Sequence, residues 1–225
     1  MDAHQDEHGH QNGHEHGHES GHQGFDDDAA SWDDKPGHEE RQVAVATAIE
    51  QAVDLGARTR AVDVGAGTGR LSILLADRVG SVLVTDPSAG MVQVAEERIA
   101  AAGLGDRLRA VRADLTTDRI EGTYDVAWSS MALHHVPDLG TLLRSVAAIL
   151  VDGGRLAIAD LEEDLDGAFH ATRVGFDGHH GFDRGALTGE LTRAGFVEVS
   201  FVDATTIVKD GREFGVFLCT ATKSA

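Results

Sequence analysis

The run Val62-Asp63-Val64-Gly65-Ala66-Gly67-Thr68-Gly69-Arg70 decides how this chain is read. Val62–Val64 has the apolar, β-branched character of a buried strand, and Leu71–Val79 follows with helical periodicity. The segment is therefore a strand that turns through glycines into a helix. Gly65 and Gly67 let the backbone bend sharply and lie against a ligand where a β-carbon would collide. A dinucleotide-binding turn would place its third glycine three residues after Gly67, but Arg70 stands there, so the spacing is GxGxG.

The elements on either side repeat the same alternation. Val82–Val84 reads as a strand, Ser88–Ala102 as a helix closed by Gly103, and Leu108–Val111 as a third strand. Tyr124–Ser129 is the fourth strand, Leu139–Leu150 its helix, and Arg155–Asp160 the fifth strand. Such βα repetition predicts a parallel sheet covered on both faces. After a loop at 162–182, Asp183 is placed to cap a helix reaching Ala194. Val197–Val202 and Glu213–Thr220 then read as two strands joined at Lys209-Asp-Gly-Arg. Upstream, Pro36 suits the start of a helix whose apolar stripe is Val43, Ala46, Ala48, Ile49 and Val53, ending near Gly56.

Three divisions follow. Residues 1–24 form a polar, acidic tail with seven histidines and no large apolar side chain beyond the initiating Met; burial could not offset the entropy of ordering it, so disorder is expected. Residues 25–59 are a cap segment and helix, in which Phe25 and Trp32 are suited to dock on the domain or cover a ligand. Residues 60–225 are the α/β domain. With 225 residues and 41% hydrophobic content, one globular core is expected.

Charge and cysteine content exclude several functions. The formal net charge is −19, the first 34 residues holding ten acidic side chains and no Lys or Arg. No basic stripe is present to track phosphates, which argues against a nucleic-acid partner and for a small-molecule one. Cys219 is the only cysteine, so neither an internal disulfide nor a cysteine-rich metal site can form. With no apolar run near the roughly 18 residues of a membrane span and no basic signal segment, a cytoplasmic location is expected.

Asp86 ends the second strand 21 residues after Gly65, where a doubly wound sheet offers a carboxylate to ribose hydroxyls; a solvated helix cap is the plainer alternative for Asp86-Pro87-Ser88. Together, Asp63-Val-Gly-Ala-Gly-Thr-Gly69, Asp86, Ala113-Asp114-Leu115 and Tyr124-Asp125-Val126…Ser129-Ser-Met-Ala-Leu-His-His-Val-Pro-Asp138 resemble the class I S-adenosylmethionine-dependent methyltransferases over roughly residues 40–222. The resemblance implies a Rossmann-like fold with a seven-stranded, mostly parallel sheet, its last strand antiparallel, and helices on both faces. It implies S-adenosylmethionine as cofactor, with Gly65, Gly67 and Gly69 behind the methionine moiety and Asp63 oriented toward its ammonium. Asp86 would bind the ribose diol, Met91 would pack on adenine, Asp114 and Leu115 would contact its edge, and Ser129 would sit beside the sulfonium. The chain departs from the small-molecule branch in lacking Leu-Pro after Ala113-Asp114-Leu115.

Methyl transfer mainly requires placing a nucleophile in line and removing its proton. His134, His179 and His180 are the candidate bases, since His134-His135 and the 162–182 loop face the acceptor site in the family resembled. His170, His179 and His180 are also spaced to hold Zn, Ni or Fe, as are the tail imidazoles. The plainer readings are that His134-His135 shapes a pocket and that His179 and His180 cap a loop. Glu162, Glu163, Asp164 and Asp166 would either attract a cationic substrate or form a solvated loop. Three functions thus compete: a small-molecule methyltransferase, a nicotinamide oxidoreductase, which the GxGxG spacing disfavours, and a nickel- or zinc-handling protein with a methyltransferase-like domain.

Overall fold

The computed structural model describes residues 19–173 and 175–225, with side chains from Gly24 onward. The tail 1–18, with the metal site expected on it, therefore lies outside the described residues. The strands are β1 (Arg60–Val64), β2 (Ser81–Asp86), β3 (Leu108–Arg112), β4 (Tyr124–Ser130), β5 (Leu150–Leu161), β6 (Phe196–Lys209) and β7 (Arg212–Lys223). The helices are α1 (Glu19–Asp28), α2 (His38–Ala52), α3 (Arg70–Leu75), α4 (Ala89–Ala101), α5 (Leu139–Ile149) and α6 (Arg184–Arg193). α1 begins at Glu19, inside the stretch expected to be tail. No helix among the described residues is long and apolar enough to cross a membrane.

The sheet runs β3-β2-β1-β4-β5-β7-β6, with β1 to β5 parallel and β7 antiparallel to both neighbours. This is the Rossmann-like, seven-stranded arrangement that the sequence predicts. β1 is central because four of its five residues are apolar or paired and fully buried. Its Ala61 and the Val126 and Trp128 of β4 pack on one face with Val45, Ile49, Leu71 and Leu75. Val62 and Val64 pack on the other with Leu142, Leu143, Ile158 and Leu187. Burying both faces of a strand in this way is the main apolar contribution to the fold.

Several helices start where short polar side chains accept orphan amides. Ser88 Oγ accepts from Met91 N, Asp138 Oδ1 from Thr141 N, and Asp183 Oδ1 from Ala186 N, the last as predicted.

Three details differ from the sequence-based expectation. Val43 is 46% exposed and Val45 takes its place in the core, because 42, 45, 46, 49 and 53 are the positions that fall on the buried face of α2. The helix expected over Leu71–Val79 tightens to a 3₁₀ turn at Ala76–Arg78, since the chain must reach β2 through Gly80, whose β-carbon would meet Ala57 O at 2.7 Å. The last two strands extend well beyond the apolar runs at 197–202 and 213–220. β6 is an edge strand whose exposed residues mix Val197, Val202 and Val208 with polar side chains, and the ladder continues to Lys209↔Arg212 around Asp210 and Gly211, both at positive φ.

Candidate active site

A cleft opens beyond the carboxyl ends of β1, β2 and β4, where the strand order reverses and open α/β sheets bind ligands. Gly65, Gly67 and Gly69 lie at φ +66°, +56° and +73°, a region costly for other residues. Gly65 has a second constraint: a β-carbon there would stand 2.6 Å from Ala132 Cβ in the turn after β4. The glycine turn thus packs against the segment that carries the histidines.

Of the residues expected to bind the cofactor, Gly65, Gly67, Asp86, Met91, Asp114 and Leu115 line this cleft. Asp86 is 8% exposed and accepts hydrogen bonds from Gly67 N at 2.8 Å and Ser88 N at 2.9 Å. It therefore ties the glycine turn to the head of α4 with a charge-assisted bond. Asp114 is half-buried, its Oδ1 accepting from both Thr116 N and Thr116 Oγ1.

Asp63, Gly69 and Ser129 stand back from the cleft. Asp63 is fully buried under α3, accepting from Ser72 Oγ at 2.6 Å, and burial pushes its carboxyl up to about 7. Gly69 is the N-cap of α3. Ser129 Oγ donates to Val64 O at 2.7 Å, and it is the next residue, Ser130, that faces the cleft. One position along a strand exchanges the faces.

The N-terminal segment closes the cleft from outside. Asp26 Oδ1 accepts from Ser88 Oγ at 2.6 Å and Gly90 N at 2.9 Å, binding α1 to the positive end of α4. A 3₁₀ turn at Ala29–Asp34 follows, and Asp33 accepts from Thr68 Oγ1 and pairs with Arg98. Between these anchors Phe25 and Trp32 line the cleft, their ring centroids 5.4 Å apart. From α2, His38, Arg41 and Gln42 complete the wall. Arg41 Nε, Gln42 Oε1 and Arg70 Nε are buried without a partner among the described residues.

The histidines regroup relative to their order in the chain. His135, half-buried, lines the cleft with Phe25 edge-on to it at 5.1 Å. His134 lies behind it, 2% exposed, its Nδ1 2.5 Å from Asp160 Oδ1 on β5. His170 sits in a short 3₁₀ turn, Ala168–His170, stacked on Phe176 at 3.9 Å, with both ring nitrogens buried and without a partner among the described residues. Burial and the neighbouring imidazoles hold His135 far below the usual histidine range and lower His170 to about 3, so both are neutral at pH 7.

His179 does not join this group. Its Nε2 donates to Val136 O at 3.0 Å and its N–H to His134 O at 2.7 Å, so it fastens the 162–182 loop to the turn after β4. Gly178 makes that docking feasible, because a β-carbon would meet His134 O at 2.2 Å. His180 lies against Gly167, 5.6 Å from the His170 ring. Asp160 had no place among the sequence-derived candidates.

The acidic run after β5 is engaged in structural pairs. Arg184 bonds Glu162 and Asp203, while Arg212 bonds Asp164 Oδ1 at 3.1 Å and Asp166 Oδ2 at 2.7 Å. These carboxylates are compensated where they stand.

A methyltransferase domain family matches residues 61–154, the span from β1 to the start of β5. The ubiquinone biosynthesis O-methyltransferase of Burkholderia cenocepacia is 30% identical over 190 residues, covering 79% of this chain and 80% of that protein. The chain belongs to the class I S-adenosylmethionine-dependent methyltransferases. It spans about half or less of the first curated relatives it matches. Among these, the 27-O-demethylrifamycin SV methyltransferase of Amycolatopsis mediterranei is 33% identical over 133 residues, 57% of this chain and 48% of that one. A solved complex of a methyltransferase with the Trm112 methyltransferase activator, from Haloferax volcanii, shares the fold. Its TM-score is 0.74 at 21% identity, over 89% of this chain and 98% of that one.

Proposed function

We propose that the chain binds S-adenosylmethionine in this cleft and transfers its methyl group to an oxygen of a small-molecule acceptor. The observation that carries the reading is the buried Asp86 at the end of β2, bonded to the amide of Gly67 inside the GxGxG turn. It is a preorganised acceptor for two vicinal hydroxyls at the switch point of the sheet.

The cleft's donors and acceptors are distributed as the cofactor requires. Asp86 and Asp114 offer carboxylates at one end, with Met91 and Leu115 as apolar surface for a base. At the other, Arg41 and Arg70 have orphaned Nε groups and Gln42 an orphaned Oε1, a set suited to a zwitterionic amino-acid end. Asp63 would act from beneath the glycine turn, with Gly69 and Ser129 supporting the turn and β4.

Bound there, S-adenosylmethionine supplies a methyl carbon already activated by positive sulfur. Phe25 and Trp32 would exclude water from it. His135 faces the acceptor end as a neutral imidazole able to orient a hydroxyl, and without a bound ion His134, backed by Asp160, would be the group that takes the hydroxyl proton. His179 and His180 serve that cluster by holding the loop that carries His170. An oxygen acceptor is favoured because one relative is named a ubiquinone biosynthesis O-methyltransferase and another a 27-O-demethylrifamycin SV methyltransferase. The absence of a basic stripe in the sequence supports a small molecule over nucleic acid.

The test is formation of S-adenosylhomocysteine from S-adenosylmethionine with panels of small phenols and alcohols, amines and thiols. Turnover confined to hydroxyl acceptors and lost in Asp86→Ala is expected. Turnover with amines or thiols alone would overturn the choice of oxygen.

A further inference from the structure

Three imidazoles converge where the turn after β4 meets the loop after β5. One ring nitrogen from each of His134, His135 and His170 lies within 4.8 Å of the others. Zinc–nitrogen bonds of about 2.0–2.1 Å in tetrahedral geometry place ligand nitrogens roughly 3.3 Å apart, so a closure of at most about 1.5 Å would complete the set.

Two independent features point to a ligand. His170 is only 5% exposed, yet neither ring nitrogen has a partner among the described residues. A buried polar ring left so is costly unless something else satisfies it. His134, in turn, has its Nδ1 against Asp160 Oδ1, while Asp160 is itself fully buried and also accepts from His134 N and Leu161 N. That contact puts the proton on Nδ1 and leaves Nε2 as a lone pair. A carboxylate backing an imidazole is the usual support for a metal-ligating histidine, fixing its tautomer and raising its basicity.

We propose that His134, His135 and His170 bind a divalent transition ion of the zinc class, with Asp160 orienting His134. Three neutral nitrogen ligands suit Zn²⁺, Co²⁺, Ni²⁺ or Fe²⁺ and exclude the hard, oxygen-seeking Mg²⁺ and Ca²⁺. This set replaces the His170, His179 and His180 grouping expected from sequence, because His179 spends its ring nitrogen on Val136 O. His135 is shared with the cleft wall, so the remaining coordination position opens toward the acceptor. There the ion takes an acceptor oxygen, a hydroxyl or carbonyl, and lowers the pKa of a hydroxyl so that its proton leaves to solvent. That role rests on the methyltransferase reading; the binding of the ion does not. Arg173, whose guanidinium reaches His135 Nδ1 at 3.5 Å, opposes the ion's charge.

The test is titration of the full chain with Co²⁺, followed by its visible absorption. A four- or five-coordinate nitrogen site gives an intense band, whereas an ion held mainly by water is six-coordinate and weakly absorbing. The intense band should saturate at one equivalent and disappear in His170→Ala and in His135→Ala. The second residue is half-buried and faces the cleft, so its loss guards against a folding failure in the first. Asp160→Asn should weaken the site roughly 10- to 100-fold. Arg173→Gln should tighten Co²⁺ binding. S-adenosylmethionine affinity of the same His170→Ala sample should stay within about threefold of the parent, which separates this proposal from the cofactor reading. A parent protein with no intense band, or one whose band survives both His170→Ala and His135→Ala, would overturn the site.

Discussion

Replacing Asp86 by Ala perturbs cofactor binding and the local fold by amounts the structure allows to be separated. In the folded protein Oδ2 accepts from Gly67 N and Oδ1 from Ser88 N, both in a carboxylate only 8% exposed. Losing a charged acceptor for a sugar hydroxyl costs about 1.5–3 kcal/mol, which is roughly 10- to 150-fold in the dissociation constant for S-adenosylmethionine. The same substitution leaves two amides short of a partner, at about 1–3 kcal/mol each if water cannot reach them. Asp86→Asn separates the effects, since its carbonyl keeps one amide bond while the charge is gone. The measurement is calorimetric titration with S-adenosylmethionine beside thermal unfolding of each variant. Both variants should bind at least tenfold more weakly, with Asn the more stable of the two. Unchanged affinity in Asp86→Asn would refute the ribose assignment.

Three further outcomes follow from the same geometry. Gly65→Ala combines a positive φ with a β-carbon 2.6 Å from Ala132 Cβ, and should lower unfolding free energy by about 2–5 kcal/mol in denaturant titration. Asp63 holds its proton to about 7 when folded but to about 4 when unfolded, so the unfolded state is the one that releases protons first on raising the pH. Stability should therefore fall between pH 4 and 7 by up to something on the order of 4 kcal/mol, and Asp63→Asn should flatten that slope; an unchanged slope would place the titration elsewhere. Asp26→Ala removes the anchor of α1 on Ser88 and Gly90, and should red-shift Trp32 fluorescence while changing global stability by only about 1 kcal/mol.

What was legible in the sequence was what is local. The GxGxG turn, Asp86 at a strand end and the Asp183 cap are each defined by a few neighbouring residues, and all stand where their patterns put them. The pairings that build the acceptor end are not local. Asp160 sits in Leu156-Ala-Ile-Ala-Asp-Leu161 with nothing beside it to mark a function, and meets His134 only because β5 pairs with β4. His170 was grouped with His179 and His180 by nearness along the chain, whereas the loop folds back through Gly178 and delivers it to His134 and His135. Ser129 and Ser130 differ by the strand's period of two, which an end position in a sequence does not resolve. The order of α1 was likewise hidden, for its composition is that of a solvated tail and its docking depends on Asp26 finding the head of α4, over sixty residues away.

The proposed function rests on S-adenosylmethionine, and not a nicotinamide cofactor, entering the cleft. Titrating the full chain in separate calorimetric runs with S-adenosylmethionine and with NAD tests it directly. A single saturable site for S-adenosylmethionine, weakened in Asp86→Asn, with no heat from NAD is the expected result. NAD binding with none by S-adenosylmethionine, or S-adenosylmethionine binding indifferent to Asp86, would contradict it.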